Sequence, residues 1–260
     1  MASKDKLKRF AENLTFPCLV QPSTEEVLGK DHPLKGRWHS DFFHNDNPIV
    51  LELGCGKGEY TVSLARRFPQ MNFIGIDIKG ARLWRGAKDA TIENLTNVGF
   101  LRTRIEFIES LFAEGEVSQI WITFADPQEK KARKRLTSTM FLNRYARFLI
   151  PGGRINLKTD SRLLHYYTLE LARQNSLTVF AADDDIYGHG TADETLSIKT
   201  FYEQSFLAKG IAITYMAFAL DNKKPLVEPV WDQQPYEQSY KTDVRASYSA
   251  APSSSDVSEA

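Results

Sequence analysis

Hydrophobic runs alternate with segments of helical periodicity through the middle of the chain. Five runs have the composition of buried strands, at 49–53, 72–78, 100–108, 118–127 and 151–160. Segments with helical spacing separate or follow them, at 60–68, 83–95, 137–150 and 161–175. Strands that alternate with helices of this length predict an α/β fold with a parallel sheet covered on both faces.

Two further strand candidates, at 176–184 and 210–220, flank a helical segment and bring the expected sheet to seven strands. These elements predict one α/β domain over residues 47–222. Residues 1–46 contain three prolines and predict a partly irregular N-terminal extension. Residues 223–260 lose apolar periodicity and end in SAAPSSSDVSEA, which is typical of a disordered polar tail.

Charge and cysteine content narrow the function classes. The 33 basic and 33 acidic residues cancel, so any nucleic-acid binding must come from a local patch. Two cysteines cannot make a disulfide framework or a four-cysteine zinc site, and the five histidines lack a metal-binding spacing. No signal peptide or membrane-spanning run is apparent, so we expect a cytoplasmic protein with no membrane or metal partner.

A glycine turn follows the first predicted strand in the segment LELGCGKGEY. Gly54, Gly56 and Gly58 alternate there, whereas a dinucleotide-binding turn usually has the spacing G-x-G-x-x-G. Glu52 precedes the turn, where a carboxylate would repel a pyrophosphate and attract a cationic amino-acid group. Asp77 ends the second strand and is placed to accept hydrogen bonds from a ribose diol.

This combination favours S-adenosylmethionine as the cofactor, because that molecule has a ribose and a cationic methionine portion but no phosphate. A nicotinamide or flavin cofactor, or a turn that binds no ligand, remains the alternative. Asp126 ends the fourth strand, so the topology brings it to the same edge as Gly54 and Asp77.

A run of cations follows Asp126 and begins at Lys130. Five basic residues fall within 130–135, and Glu129 is the one acidic neighbour. Charge runs often lie in solvated loops, but such uncompensated self-repulsion is more readily explained by contact with phosphates. The run therefore predicts a phosphate-bearing substrate.

Five segments together resemble the bacterial tRNA (guanine-N7-)-methyltransferases, over roughly residues 48 to 220. They are LELGCGKGE, NFIGIDIKG, FADPQEKKARKRLT, PGGRINLKTD and TFYE, in the order found in that family. The resemblance implies a Rossmann-like class I methyltransferase fold, S-adenosylmethionine as cofactor and tRNA as partner, with methylation of a guanine N7 in the variable loop.

The resemblance also implies roles for matching residues. Those expected to bind the cofactor are Glu52, Gly54, Gly56, Asp77, Glu106 and Asp126. Those expected to contact the substrate or close over the site are Lys130, Asp160, Thr200 and Glu203. Since guanine N7 has no proton to lose, Asp126 is expected to act as a catalytic electrostatic anchor rather than as a strong base.

Three positions depart from the family pattern. Ala125 replaces a proline, Gln128 replaces a tryptophan that would support a base, and Arg104 stands where an aspartate is usual, leaving Glu106 as the nearest carboxylate. Two alternatives therefore stay open: a methyltransferase for another RNA or a small molecule, and an inactive RNA-binding homologue. The sequence is compatible with a monomer or a homodimer.

Overall fold

The computed structural model describes residues 3–220 and 224–236, with side chains from residue 5 onward. The strands in these ranges are β1 (Leu19–Val20), β2 (Ile49–Leu53), β3 (Asn72–Asp77), β4 (Val98–Arg102), β5 (Val117–Thr123), β6 (Leu149–Thr159), β7 (Val179–Asp183) and β8 (Thr214–Leu220). The α-helices are α1 (Ser3–Asn13), α2 (Thr24–Val27), α3 (Glu59–Arg67), α4 (Gly80–Ile92), α5 (Thr139–Tyr145), α6 (Arg162–Gln174) and α7 (Phe201–Leu207).

All eight strands form one sheet in the order β1-β4-β3-β2-β5-β6-β8-β7. The pairs from β1 to β6 are parallel, and β8 runs antiparallel to both β6 and β7. This mostly parallel, Rossmann-like sheet confirms the predicted fold class. The seven predicted strands are present, and the N-terminal segment adds β1 as a short eighth strand beside β4.

Two hydrophobic cores cover the faces of the sheet, which explains why its central strands are apolar on both sides. Every residue of β2 is buried. One core packs side chains of α5 and α6 against the sheet, and the other packs α3 and α4 against the opposite face. Helices therefore lie on both faces, as expected.

The predicted third strand, 100–108, is wrong in its second half. β4 ends at Arg102, and a 3₁₀ helix follows at Ile105–Ser110. The reason is that Ile105, Ile108 and Leu111 recur every third residue and pack into one core, a spacing that suits a 3₁₀ turn rather than a strand.

The flanking segments contact the central domain. Helix α1 packs against α4, and Trp38 in a π-helix at Trp38–Phe43 is fully buried. From the predicted tail, Glu228 accepts hydrogen bonds from Thr139 and Tyr167. Residues 224–236 thus lie along α5 and α6, while residue 223 and residues 237–260 of that tail lie outside the described residues. The domain boundaries themselves stay a prediction.

Candidate active site

The strand order reverses between β2 and β5, which are adjacent and parallel. Leu53 pairs with Ile122 near the carboxyl ends of these strands, so the segments after them leave the same edge. Ligands of doubly wound sheets bind at such a switch point. We call this edge, formed by the carboxyl ends of β3, β2, β5 and β6, the mouth.

The glycine turn lies at the mouth between β2 and α3. Gly54, Gly56 and Gly58 have φ angles of 75°, 57° and 72°, a region that favours glycine. A Cβ at Gly56 would meet no atom within 4 Å, so its surface is open to a ligand. A Cβ at Gly58 would lie 2.5 Å from the Phe100 ring, so that glycine is required for packing.

Glu52 is buried beneath this turn, with 3% of its surface exposed. Its carboxylate accepts hydrogen bonds from the Thr61 N–H at 2.9 Å and from the hydroxyls of Thr61 and Thr123. These donors are neutral, and burial raises the pKa of Glu52 to about 7. A nearby positive charge would stabilise the ionised form, so Glu52 fits a cofactor that carries a cationic group.

Asp77 lies on the opposite side of the turn and orders it. One carboxylate oxygen accepts from the Gly56 N–H at 3.0 Å, and the other accepts from the Lys79 N–H at 2.7 Å. Each oxygen retains a second lone pair, so Asp77 can still accept a hydrogen bond from a ribose hydroxyl. The positions of Glu52, Gly56 and Asp77 therefore fit S-adenosylmethionine at this turn.

A cleft of about 400 Å³ continues from Ile78 along the end of β4. Arg104 and Phe107 line it, together with residues from the N-terminal segment such as Gln21. Glu106 is not among the lining residues and forms an ion pair with Arg104 at 3.2 Å. Of these two side chains, the structure therefore places Arg104 in the cleft and Glu106 beside it, so direct contact between Glu106 and the cofactor stays a prediction.

Asp126 projects from the loop after β5 and is exposed to solvent. One of its carboxylate oxygens accepts from the Gln128 N–H at 2.9 Å. Phe124 and Gln128, on either side, have positive φ angles of 49° and 47°, which are uncommon for residues other than glycine. The Phe124 ring stacks on Phe206 of α7, which helps to hold this conformation.

Arg135 is the one member of the cationic run that the structure removes from solvent. Its side chain is fully buried, donates from Nε to the Pro127 carbonyl at 2.9 Å and lies over the Tyr167 ring at 4.3 Å. It also donates to the Gln233 side chain at 3.3 Å. Arg135 thus holds the Asp126 loop against α6 and is not available to contact a phosphate.

The other four cations of the run are exposed: Lys130, Lys131, Arg133 and Lys134. They follow Asp126 around the rim of the mouth, with a short 3₁₀ turn at Ala132–Lys134. This arrangement leaves a local positive surface on a chain of zero net charge, as the phosphate-contact prediction requires.

Glu203 and Thr200 lie at the start of α7 and are both buried. They form a reciprocal capping box, and Glu203 makes a fully buried ion pair with Lys158 at 2.7 Å. Tyr187 also donates to Glu203 at 2.7 Å. The Glu203 carboxylate thus holds α7 to the sheet, and the expected roles of Glu203 and Thr200 toward the substrate stay predictions.

Asp160 is half-buried and directly follows β6, so it lies at the mouth beside the strand that carries Asp126. Farther along the same edge, ligand atoms of Asp183, Asp184 and His189 lie within 4.8 Å of one another. Asp183 already accepts from Thr191 and pairs with His189 at 2.8 Å. The expectation of a metal-free protein stays a prediction.

Comparison with known proteins identifies the family. A family model described as "Putative methyltransferase" matches residues 46–216. A tRNA (guanine-N(7)-)-methyltransferase of Bacteroides fragilis is 50% identical over 226 residues, which cover 87% of this chain and 90% of the relative. The enzyme of the same description from Porphyromonas gingivalis is 54% identical over 215 residues, covering 82% and 86%. The chain belongs to the tRNA (guanine-N(7)-)-methyltransferase family.

Solved structures support the fold at lower identity. The 16S rRNA methyltransferase KamB is similar with a TM-score of 0.56 and 12% identity, over 70% of this chain and 92% of that one. Such a likeness concerns the fold alone. Among the described residues, none of the helices has the length and apolarity needed to cross a membrane.

Several functional positions escaped the sequence analysis. Thr61 and Thr123, which hold Glu52, are ordinary residues of a helix and a strand. Lys158 gave a usable signal, since a lysine inside the apolar strand INLKT needs a buried partner. No local sequence pattern predicts the burial of Arg135, because that burial depends on contacts with Tyr167 and Gln233.

Proposed function

We propose that this protein transfers a methyl group from S-adenosylmethionine to N7 of a guanine in tRNA. The observation that carries the proposal is the juxtaposition, at one switch point, of the glycine turn with Glu52 and the Asp126 loop with its exposed cations. The relatives named as tRNA (guanine-N(7)-)-methyltransferases support it, and we extend it to a guanine of the variable loop.

The reaction demands alignment and charge stabilisation more than proton transfer. S-Adenosylmethionine supplies, when bound, a methyl group on a positively charged sulfur. The N7 lone pair forms the new bond to carbon as the carbon–sulfur bond breaks, and the positive charge moves to the purine. Asp126 is suited to stabilise that developing charge, because its carboxylate is exposed on a loop fixed by Arg135 and Phe124.

Roles for the remaining residues follow from their positions. Glu52 and Asp77 would hold the cationic and ribose portions of the cofactor, respectively. Lys130 would contact phosphate, and Asp160 would accept hydrogen bonds from the guanine N1–H and amino group, which selects guanine over adenine. Lys158 and Glu203 position α7, through which Thr200 and Glu203 would contact the substrate or close over the site.

The test is transfer of labelled methyl from S-adenosylmethionine to an unmodified tRNA transcript, followed by mapping of the product. We expect 7-methylguanosine in the variable loop with the wild-type protein and loss of turnover in Asp126→Asn. An unmethylated transcript would contradict the proposed function. Methylation at another guanine would contradict only the assignment to the variable loop.

A further inference from the structure

A second cavity lies beneath the carboxyl-terminal end of α3, away from the mouth. Its volume is about 190 Å³, and the lining residues Val50 and Gln119 place it near the amino ends of β2 and β5. Asp193 also lines it and is exposed, so the cavity reaches the surface. Since a cavity of about 150 Å³ can hold benzene, this one can accept a molecule with a single six-membered ring.

The sheet face that forms the floor of this cavity carries polar residues. Strands of a parallel sheet that is covered on both faces are normally apolar. On this face, Glu52 and Thr123 belong to the glycine-turn site, and Lys158 pairs with Glu203. The remaining polar side chains of the face line the cavity: Gln119, Arg154 and Asn156. Neither the mouth nor the anchoring of α7 accounts for their polarity.

Arg154 is a half-buried cation that forms no ion pair with another described residue. One guanidinium nitrogen donates to the Tyr215 hydroxyl at 3.0 Å, and Tyr215 donates in turn to Asn156 at 2.9 Å. The buried Nε of Arg154 makes no hydrogen bond within the described ranges. The guanidinium also lies 5.3 Å from the centroid of the Phe180 ring. These contacts fix its position but leave its charge uncompensated, which suits an anionic ligand.

The acidic residue of the lining has a different role. One carboxylate oxygen of Asp193 accepts from the N–H groups of Thr195 and Leu196, at 2.9 and 2.7 Å. Asp193 thus folds the loop that forms one wall of the cavity, and it does not pair with Arg154. The positive charge of Arg154 therefore stays available to a ligand.

Aromatic side chains form much of the remaining wall. The rings of Trp121 and Tyr215 stack at a centroid distance of 6.0 Å, and Phe68 and Phe73 line the cavity as well. Such walls favour a planar aromatic ligand, because aromatic rings pack well in stacked and edge-to-face arrangements. The cavity therefore combines a cationic group with a surface suited to one aromatic ring.

We propose that this cavity binds a small aromatic carboxylate, with its carboxylate on Arg154 and its ring against Phe73 and Trp121. The volume limits the ligand to one ring, and the uncompensated guanidinium selects an anion. The site lies apart from the mouth, so the proposal goes beyond the proposed function and does not depend on it.

Benzoate is the probe for this site, titrated into the full-length protein and followed by saturation-transfer NMR. We expect saturable binding to the wild type, with or without S-adenosylhomocysteine. Arg154→Met should weaken benzoate binding by about 10- to 150-fold, because a charged hydrogen bond is lost. Met71→Trp keeps Arg154 but adds bulk to the cavity lining, and should exclude benzoate.

A ligand control and a variant control accompany these measurements. Benzamide has the same ring but no charge, and it should lose much less affinity than benzoate in Arg154→Met. Retained benzamide binding would also show that the cavity of this variant is folded. Arg147→Met removes an exposed cation that pairs with Glu109 outside the cavity, and it should bind benzoate as the wild type does.

Four results would overturn the proposal. The first is the absence of saturable benzoate binding to the wild type, and the second is an unchanged benzoate affinity in Arg154→Met and Met71→Trp. The third is an equal loss of benzoate and benzamide affinity in Arg154→Met, which would reject the role of charge. The fourth is displacement of benzoate by S-adenosylhomocysteine, which would assign benzoate to the mouth. None of these results bears on methyl transfer to tRNA, so the proposed function is tested separately.

Discussion

Two glutamates are buried on either side of the mouth, and they differ in their partners: Glu203 pairs with a cation, whereas Glu52 has only neutral hydrogen-bond donors. Glu203 forms an ion pair with Lys158 at 2.7 Å, with both side chains fully buried. Glu52 receives hydrogen bonds from Thr61 and Thr123, which are neutral, and its pKa is raised to about 7.

The difference distinguishes a structural carboxylate from one suited to a ligand. On the α7 side, the protein supplies its own cation, so the pair is complete without a substrate. On the β2 side, burial disfavours the charge and the donors only partly offset that cost, so a cationic ligand would complete the arrangement. We therefore interpret Glu203 as an anchor of α7 and Glu52 as a receptor for the cofactor.

The largest expected effect comes from removing the cation that pairs with Glu203, so that Glu203, like Glu52, is buried without a positively charged partner. Lys158→Met leaves a buried carboxylate without its cation and should lower the free energy of unfolding by about 3–5 kcal/mol, measured by urea denaturation. The double variant Lys158→Met/Glu203→Gln removes both charges and should recover part of that loss. Equal losses of unfolding free energy in the single and double variants would show that the unpaired Glu203 carboxylate is not what destabilises Lys158→Met.

The second prediction concerns cofactor affinity. Glu52→Gln removes the receptor charge while keeping the shape of the side chain, and should weaken S-adenosylmethionine binding by about 10- to 150-fold in calorimetry, as expected for losing a charged partner. Glu116→Gln is the matched control, because Glu116 is also a buried carboxylate but lies at the amino end of β5. Equal affinities in the Glu52 variant and the wild type would reject the receptor role.

A third prediction separates loop positioning from RNA contact. Arg135→Lys keeps the buried charge but not the guanidinium geometry that joins the Pro127 carbonyl to Gln233, so we expect kcat to fall about tenfold with KM for tRNA nearly unchanged. Arg133→Ala removes an exposed cation and should instead raise KM. An increase in KM alone for Arg135→Lys would place it with the RNA-contacting cations.

A fourth prediction concerns the pH dependence of stability. The pKa of Glu52 is raised from 4.5 to about 7, so between these values the unfolded chain is ionised while the folded one keeps its proton. Stability from this group therefore falls as pH rises across that window, by about 1.4 kcal/mol per pKa unit at most. The melting temperature of Glu52→Gln relative to the wild type should rise by several degrees from pH 5 to pH 8, whereas a constant difference would argue against the shift.

The sequence could predict features that neighbouring residues encode, but not pairings between distant residues. Local patterns located the strands, the glycine turn, Asp77 and Asp126, because hydrophobic periodicity and strand ends are read from neighbouring residues. The pairing of Lys158 with Glu203 and the burial of Arg135 depend on residues tens of positions apart, which periodicity does not encode. The substrate role of Glu203 was implied by the family resemblance and not by periodicity, and it stays a prediction.

The C-terminal region also makes long-range contacts that the sequence pattern did not predict. Residues 223–260 are polar and aperiodic, yet Glu228, Trp231 and Gln233 contact Thr139, Tyr167 and Arg135. Such contacts use single side chains rather than an apolar stripe, so composition alone could not predict them.

The most direct test of the receptor role counts the protons released when S-adenosylmethionine binds. Calorimetry at pH 7 in two buffers of different ionisation enthalpy gives that number for the wild type and for Glu52→Gln. Because Glu52 has a pKa of about 7 in the absence of ligand, the wild type should release roughly half a proton more than the variant. Equal proton release by the two proteins would show that the cofactor's charge does not act on Glu52.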